Sequence, residues 1–195
     1  MEFEISLAVP SLPAAHAWLA AQAHTTFTRQ TQLLNIYLDT PQLNLKNAKA
    51  ALRLRFDTEQ QTWLQTLKTA GQIIDGVHAR DEWECVVPTQ QINLSLFATD
   101  AQAFLAPYID AIVPLFRTDF TRHIYDYRLA DAHFEWALDD GEVRFMDKHA
   151  VIRELELEYK SGDLNAMREL ANDAQTALDA APQLLSKAAR GYGLL

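Results

Sequence analysis

The most constraining feature of this chain is the stretch Arg153-Glu154-Leu155-Glu156-Leu157-Glu158-Tyr159. From Glu154 onward, charged and apolar residues alternate one for one. A strand turns successive side chains to opposite faces, so Glu154, Glu156 and Glu158 share one face and Leu155 and Leu157 the other. A helix would scatter the three carboxylates around its girth, and no apolar stripe at i, i+3, i+4 runs through here. Three like charges on one face repel one another. Cations must stand opposite them: Arg and Lys from neighbouring strands, a divalent metal, or both.

A single Glu-Leu-Glu-Leu-Glu run is commonly the solvated face of an edge strand. Repetition changes that reading. Glu2 and Glu4 alternate with Phe3 and Ile5, Arg53 and Arg55 with Leu52, Leu54 and Phe56, and Glu82 and Glu84 with Trp83 and Cys85. One charged face per strand, of both signs, predicts a sheet that folds this face around a shared interior.

Composition sets the limits. A chain of 195 residues suits one domain, taken as 1–195, and can bury roughly 70% of the surface its unfolded form exposes. Its 49% apolar and 10% aromatic content is that of a globular protein. The net charge of -9 argues against nucleic acid or an anionic membrane as main partner, while 17 Lys and Arg leave room for a local basic pocket. The single Cys85 forms no internal disulfide and belongs to no Cys-rich metal motif. No apolar run is long enough to span a bilayer, and the N-terminus lacks a basic-then-apolar signal pattern, so a cytoplasmic setting is expected. The oligomeric state stays open, a homodimer included.

Strands are expected at 2–8, 27–39, 50–57, 61–69, 77–87, 110–128 (broken near Pro114), 132–139 and 142–147, and through the opening stretch. Thr58-Glu59-Gln60 reads as a hairpin, Gly71 and Asp75-Gly76 as a loop, and Asp139-Asp140-Gly141 as a second hairpin. Helices are expected at 12–23, capped by Ser11, at 92–106 and at 164–180, with a short link at 43–48 and a helical turn or loop at 186–192. About eight antiparallel strands with few helices point to a mainly β (α+β) protein built on an antiparallel barrel.

Turned inward, the charges would line one cavity. The acidic set is Glu2, Glu4, Glu82, Glu84, Asp139, Glu154, Glu156 and Glu158; the basic set is Arg53, Arg55, Lys68, Arg80, Arg117, Arg122, Lys187 and Arg190. A buried lone charge costs several kcal/mol, so such a cavity must be wet, paired and ligand-bearing. Guanidinium and ammonium groups suit phosphate oxygens, and carboxylates suit hard ions such as Mg²⁺ or Mn²⁺. No Walker A loop is present, which excludes a P-loop enzyme.

These residues resemble the CYTH superfamily, the triphosphate tunnel metalloenzymes. Glu2-Phe3-Glu4-Ile5-Ser6 stands where that family carries E-x-E-x-K, and Leu52-Arg53-Leu54-Arg55 looks like its R-x-R strand. Lys68, Arg80-Asp81-Glu82-Trp83-Glu84, Asp139 and the Glu-Leu-Glu repeat are similar to later family segments. Leu138-Asp139-Asp140-Gly141-Glu142-Val143 and Ser186-Lys187-Ala188-Ala189-Arg190-Gly191-Tyr192 resemble the bacterial inorganic triphosphatases in particular. The resemblance implies an eight-stranded antiparallel barrel and hydrolysis of tripolyphosphate to diphosphate and phosphate with Mg²⁺ or Mn²⁺. It implies metal ligands among the eight acidic residues, with Glu156 and Glu158 as the family's second E-x-E. It implies substrate contacts among the eight basic residues, and a catalytic part for Glu4, Arg55 and Lys187. The better match to the family's phosphate-facing Arg is Arg122, ahead of Arg117. The signature Lys is Ser6 here, too short and uncharged to reach a phosphate, and Lys187 is the natural replacement. The alternatives are a polyphosphate or nucleotide-triphosphate binding module with little turnover, a class IV adenylate cyclase and a thiamine-triphosphatase.

Overall fold

Alternation becomes strand wherever the sequence carries it. The computed structural model describes residues 2–69, 71–74 and 77–195, the side chains of Ile73 and Ile74 excepted. The strands are β1 (Glu2–Ala8), β2 (Thr25–Asp39), β3 (Ala51–Asp57), β4 (Thr62–Lys68), β5 (Gln72–Ile74), β6 (Val77–Arg80), β7 (Glu82–Val87), β8 (Val113–Leu129), β9 (Ala132–Phe145), β10 (Lys148–Ser161) and β11 (Ala181–Pro182). The helices are α1 (Leu12–Ala21), α2 (Asn44–Asn47), α3 (Thr99–Leu105), α4 (Leu164–Leu178) and α5 (Lys187–Leu194).

The strands form one antiparallel curled sheet in the order β6-β1-β10-β9-β8-β2-β3-β4-β7, with β5 on the outer side of β6 and β11 on β1. Its two ends belong to one run of chain. β6 pairs with β1, β7 pairs with β4, and Asp81 alone separates them. Residues 77–87 are thus a single bent strand that joins both edges, and with β1–β4 and β8–β10 it makes the expected eight-stranded barrel. At the bend, the Asp81 carbonyl accepts from Thr69 N at 3.1 Å.

Two local expectations fail for physical reasons. Asp139-Asp140-Gly141 is not a hairpin: β9 runs straight through it, and the turn comes at 146–147, where Met146 has φ 54. Gly141 serves close approach instead. A Cβ there would lie 2.5 Å from Phe120 Cα on β8. Nor does Pro114 break its strand; it sits second in β8, at a register shift opposite Tyr37 and Leu38. The helix expected at 92–106 divides into a 3-10 turn at Leu94–Leu96 and α3. The Asp75-Gly76 loop lies outside the described residues.

Outward faces are apolar and take the helices. Ile5, Leu7, Trp136, Leu138, Leu155 and Leu157 pack under α1 and α4, with Trp18 edge-on to Trp136 at 5.7 Å. Leu52, Leu54, Leu67 and Val87 pack with Ala101 and Leu105 of α3. Each fully buried Leu or Phe contributes about 1.5–3 kcal/mol. A third cluster sits inside the barrel. Tyr37, Phe116, Phe120, Val143 and Ile152 meet Tyr192 of α5 there. A Cβ on Gly191 would overlap the Phe116 ring, so glycine is what lets α5 seat. The Tyr192 hydroxyl donates to Asp39 Oδ2 at 2.9 Å, while Asp39 also accepts from the backbone N of Thr40, Leu45 and Lys46 at 2.7, 2.8 and 2.9 Å. Among the described residues no helix is long and apolar enough to cross a membrane.

Candidate functional site

Residues of one parity on each strand face the interior. Glu2, Glu4 and Ser6 come from β1, Arg53 and Arg55 from β3, Lys68 from β4, Arg80 from β6, Glu82 and Glu84 from β7, Arg122 from β8, and Glu154, Glu156 and Glu158 from β10. Lys187 enters from α5. All line one cavity of about 1060 Å³, whose walls carry ten Lys or Arg and nine Asp or Glu. The whole chain is at -9, so this interior is far more basic than the surface around it.

Most charges here are paired. Where the bent strand closes the sheet, Lys68 Nζ lies 2.9 Å from Glu2 and 2.9 Å from Glu82. Arg80 Nε donates to Glu2 at 2.9 Å and its Nη2 to Glu4 at 3.1 Å. Burial pushes the Glu2 carboxyl up, but Lys68 and Arg80 outweigh it and hold it well below the usual carboxylate range. Arg53 donates to Thr66 at 3.2 Å and to Glu84 at 3.4 Å, and Thr66 donates to Glu84 at 2.7 Å. Ser6 Oγ donates to Glu4 Oε1 at 2.9 Å.

Arg55 breaks this pattern. Its Nε donates to Asn35 Oδ1 at 2.8 Å, and among the described residues it has no carboxylate within salt-bridge distance. Burial, then the charges of Arg53 and Arg122, lower its pKa to about 10. It is a cation with no carboxylate in contact, held in the wall of the cavity with Glu84 acting on it only at a distance.

A second group gathers where α5 meets the sheet. Asp139, Glu154 and Glu156 each offer an oxygen within 4.8 Å of the others. Lys187 Nζ lies 2.7 Å from Asp139 and 2.7 Å from Glu156, and also contacts Glu154. Arg122 takes Asp139 through two bonds of 2.7 Å and also meets Glu156. Asp139 does not line the cavity; it is fully buried behind these cations.

Two other expected contacts lie elsewhere. Arg117 projects from the outer face, 56% exposed and 2.9 Å from Asp119. It stands five positions from Arg122, and an odd separation on a strand means opposite faces. Arg190 also lies outside the cavity lining, where its Nη2 donates to Glu154 at 2.6 Å and its Nη1 to the Val151 carbonyl at 3.1 Å. Sequence reasoning missed Glu135, which does line the cavity. Its parity with Asp139 was the available signal. In register, Glu4, Glu158 and Glu135 sit side by side across β1, β10 and β9.

The two acidic regions differ in their fit to a hard divalent ion. Burial pushes the Glu158 carboxyl up, and Glu135 and Glu2 add to this against only the Lys160 ammonium. Glu2 and Glu4 already accept from Lys68, Arg80 and Ser6, but with Glu135 and Glu158 they set four carboxylates against the three cations Lys68, Arg80 and Lys160. That surplus of negative charge is what Mg²⁺ or Mn²⁺ takes. The Asp139 group has no such surplus.

Comparisons with known proteins agree with this architecture. The chain is 28% identical to the inorganic triphosphatase of Haemophilus influenzae over 158 residues, which are 81% of this chain and 44% of that protein. It thus spans less than half the length of that relative. Among solved structures, a Hippeastrum protein taken for an adenylyl cyclase and described as having a dominant triphosphatase activity superposes with a TM-score of 0.72 at 20% identity, covering 99% of this chain and 96% of that one. A Bacillus halodurans protein described as an adenylate cyclase gives 0.64 at 16% identity, covering 95% and 94%. The CYTH domain model matches residues 1–192, and with them every strand of the sheet, so the chain belongs to the CYTH domain family.

Proposed function

We propose that this protein hydrolyses inorganic tripolyphosphate to diphosphate and phosphate inside the barrel, with Mg²⁺ or Mn²⁺. Arg55 carries the reading. A buried guanidinium with no carboxylate partner, beside Arg53 and Arg122, is a site for the oxygens of a polyanion. Arg53, Lys68, Arg80 and Lys187 supply the remaining positive charge. Glu2, Glu4 and Glu158 would hold the divalent ion, which would supply Lewis-acid polarisation of the phosphate chain. The chain's own part is to position the phosphates and balance the charge that develops as water adds to the terminal phosphorus and the bridging P–O bond breaks.

The test is phosphate release from tripolyphosphate with Mg²⁺, Mn²⁺ or EDTA, set against ATP and pyrophosphate. Metal-dependent release that prefers tripolyphosphate is expected; release from none of the three would overturn the proposal. One observation favours a second reading. The Ser6 hydroxyl is turned to Glu4 and offers no charge where the family has Lys. If triphosphate raises the melting temperature without being cleaved, the protein is a binding module, and Ser6→Lys should then restore turnover.

A further inference from the structure

We infer that the Lys187 ammonium is a built-in cation that takes the place of a metal ion among Asp139, Glu154 and Glu156, so that this end of the tunnel binds no divalent ion.

By residue type the trio looks like a metal site, with three carboxylates converging on one point. The bonding says otherwise: every one of the six oxygens is engaged, and, unlike the region of Glu2, Glu4 and Glu158, the trio has a cation at its centre and no charge left over. Asp139 Oδ1 accepts from Arg122 Nε, and Oδ2 from Arg122 Nη2 and Lys187. Glu154 meets Lys187 through Oε1 and Arg190 through Oε2. Glu156 meets Lys187 through Oε1 and Arg122 through Oε2. Three negative charges face three positive ones. Mg²⁺ needs oxygens at about 2.0–2.1 Å, and here the space between the three carboxylates is filled by the Lys187 nitrogen.

The backbone that carries Lys187 is fixed. This residue is the first of α5, and that helix is pinned by Ser186 Oγ accepting from Ala189 N at 3.1 Å, by Gly191 against Phe116, and by Tyr192 on Asp39. A cation in a first helical turn also opposes the helix dipole. Its placement there is explained by the carboxylates, not by the helix. The inference rests on the proposed function only for its consequence: positive charge at this end is fixed by the chain and does not vary with metal concentration.

Substrate-free Mn²⁺ binding, followed by the electron paramagnetic resonance of free Mn²⁺, tests it on the whole chain. Glu154→Gln should bind the same number of ions as the unaltered protein, since the trio holds none. Lys187→Ala should bind one more, and the gain in melting temperature on adding Mn²⁺ should be larger than for the unaltered protein. Loss of an ion in Glu154→Gln would overturn the inference, as would a folded Lys187→Ala that gains none. Should Lys187→Ala fail to fold, the Glu154→Gln comparison alone decides. Neither readout involves phosphate release, so a chain that hydrolyses tripolyphosphate yet loses an ion in Glu154→Gln refutes this inference and leaves the proposed function standing.

Discussion

Arg55 carries its charge where burial penalises it, with no carboxylate in contact and only the more distant Glu84 to offset part of the cost. Arg55→Met should therefore raise the melting temperature of the ligand-free protein while removing its stabilisation by triphosphate. Losing charge-assisted bonds of about 1.5–3 kcal/mol should lower kcat/KM roughly 10–150-fold; thermal melts and phosphate release check both halves. Glu158 gives the pH counterpart. Burial, Glu135 and Glu2 push its carboxyl up in the folded state. Its contribution to stability is then full below the unfolded carboxyl value and is lost as pH rises through the folded value. Glu158→Gln should flatten that part of the melting-temperature profile and raise the melting point at about pH 7. The faces of Arg122 and Glu154 were read from parity; the same parity, carried through, would have added Glu135 and set Arg117 apart from Arg122. What parity does not carry is which carboxylate is already saturated. The cation that engages Asp139, Glu154 and Glu156 arrives on a helix outside the sheet's repeat.

Elements meet through single residues whose role depends on the neighbour. Gly141 is part of a dipeptide that signals a turn, yet it lies mid-strand because β8 passes too close for a side chain. That proximity comes from the packing of two long strands and has no local signature. Gly141→Ala must part β8 from β9 and should cost about 1–3 kcal/mol, seen as a lower urea midpoint. Asp39 links three elements: its carboxylate ends β2, caps α2 and anchors α5 through Tyr192. Asp39→Asn keeps the size but loses acceptors for buried donors, at about 1–3 kcal/mol each. Faster hydrogen exchange across Lys187–Leu194 should accompany the loss of stability, because the Tyr192 tether goes with it.

At the scale of the molecule, a surplus of negative charge surrounds an interior that is close to balanced. A triphosphate approaching from solution meets repulsion first, so added salt should speed its association, the reverse of a steered encounter. Stopped-flow binding at rising ionic strength measures this. The curled sheet and its closing round a shared interior were readable in the alternating segments; the means of closure was not, because nothing in 77–87 announces that one strand serves two partners. That closure has a consequence for synthesis. β1 emerges from the ribosome first, yet its longest pairing, with β10, waits for about 140 further residues. At about 5–20 residues per second that is a delay of roughly 7–30 s. Until then Ile5 and Leu7 have α1 to lean on, joined by the short β6 only about 70 residues later, and the charges of Glu2 and Glu4 on the reverse face help keep this edge from recruiting other chains. A nascent chain arrested before Lys148 should be open to protease along its entire sheet, and the barrel should appear all at once when the last long strand clears the exit.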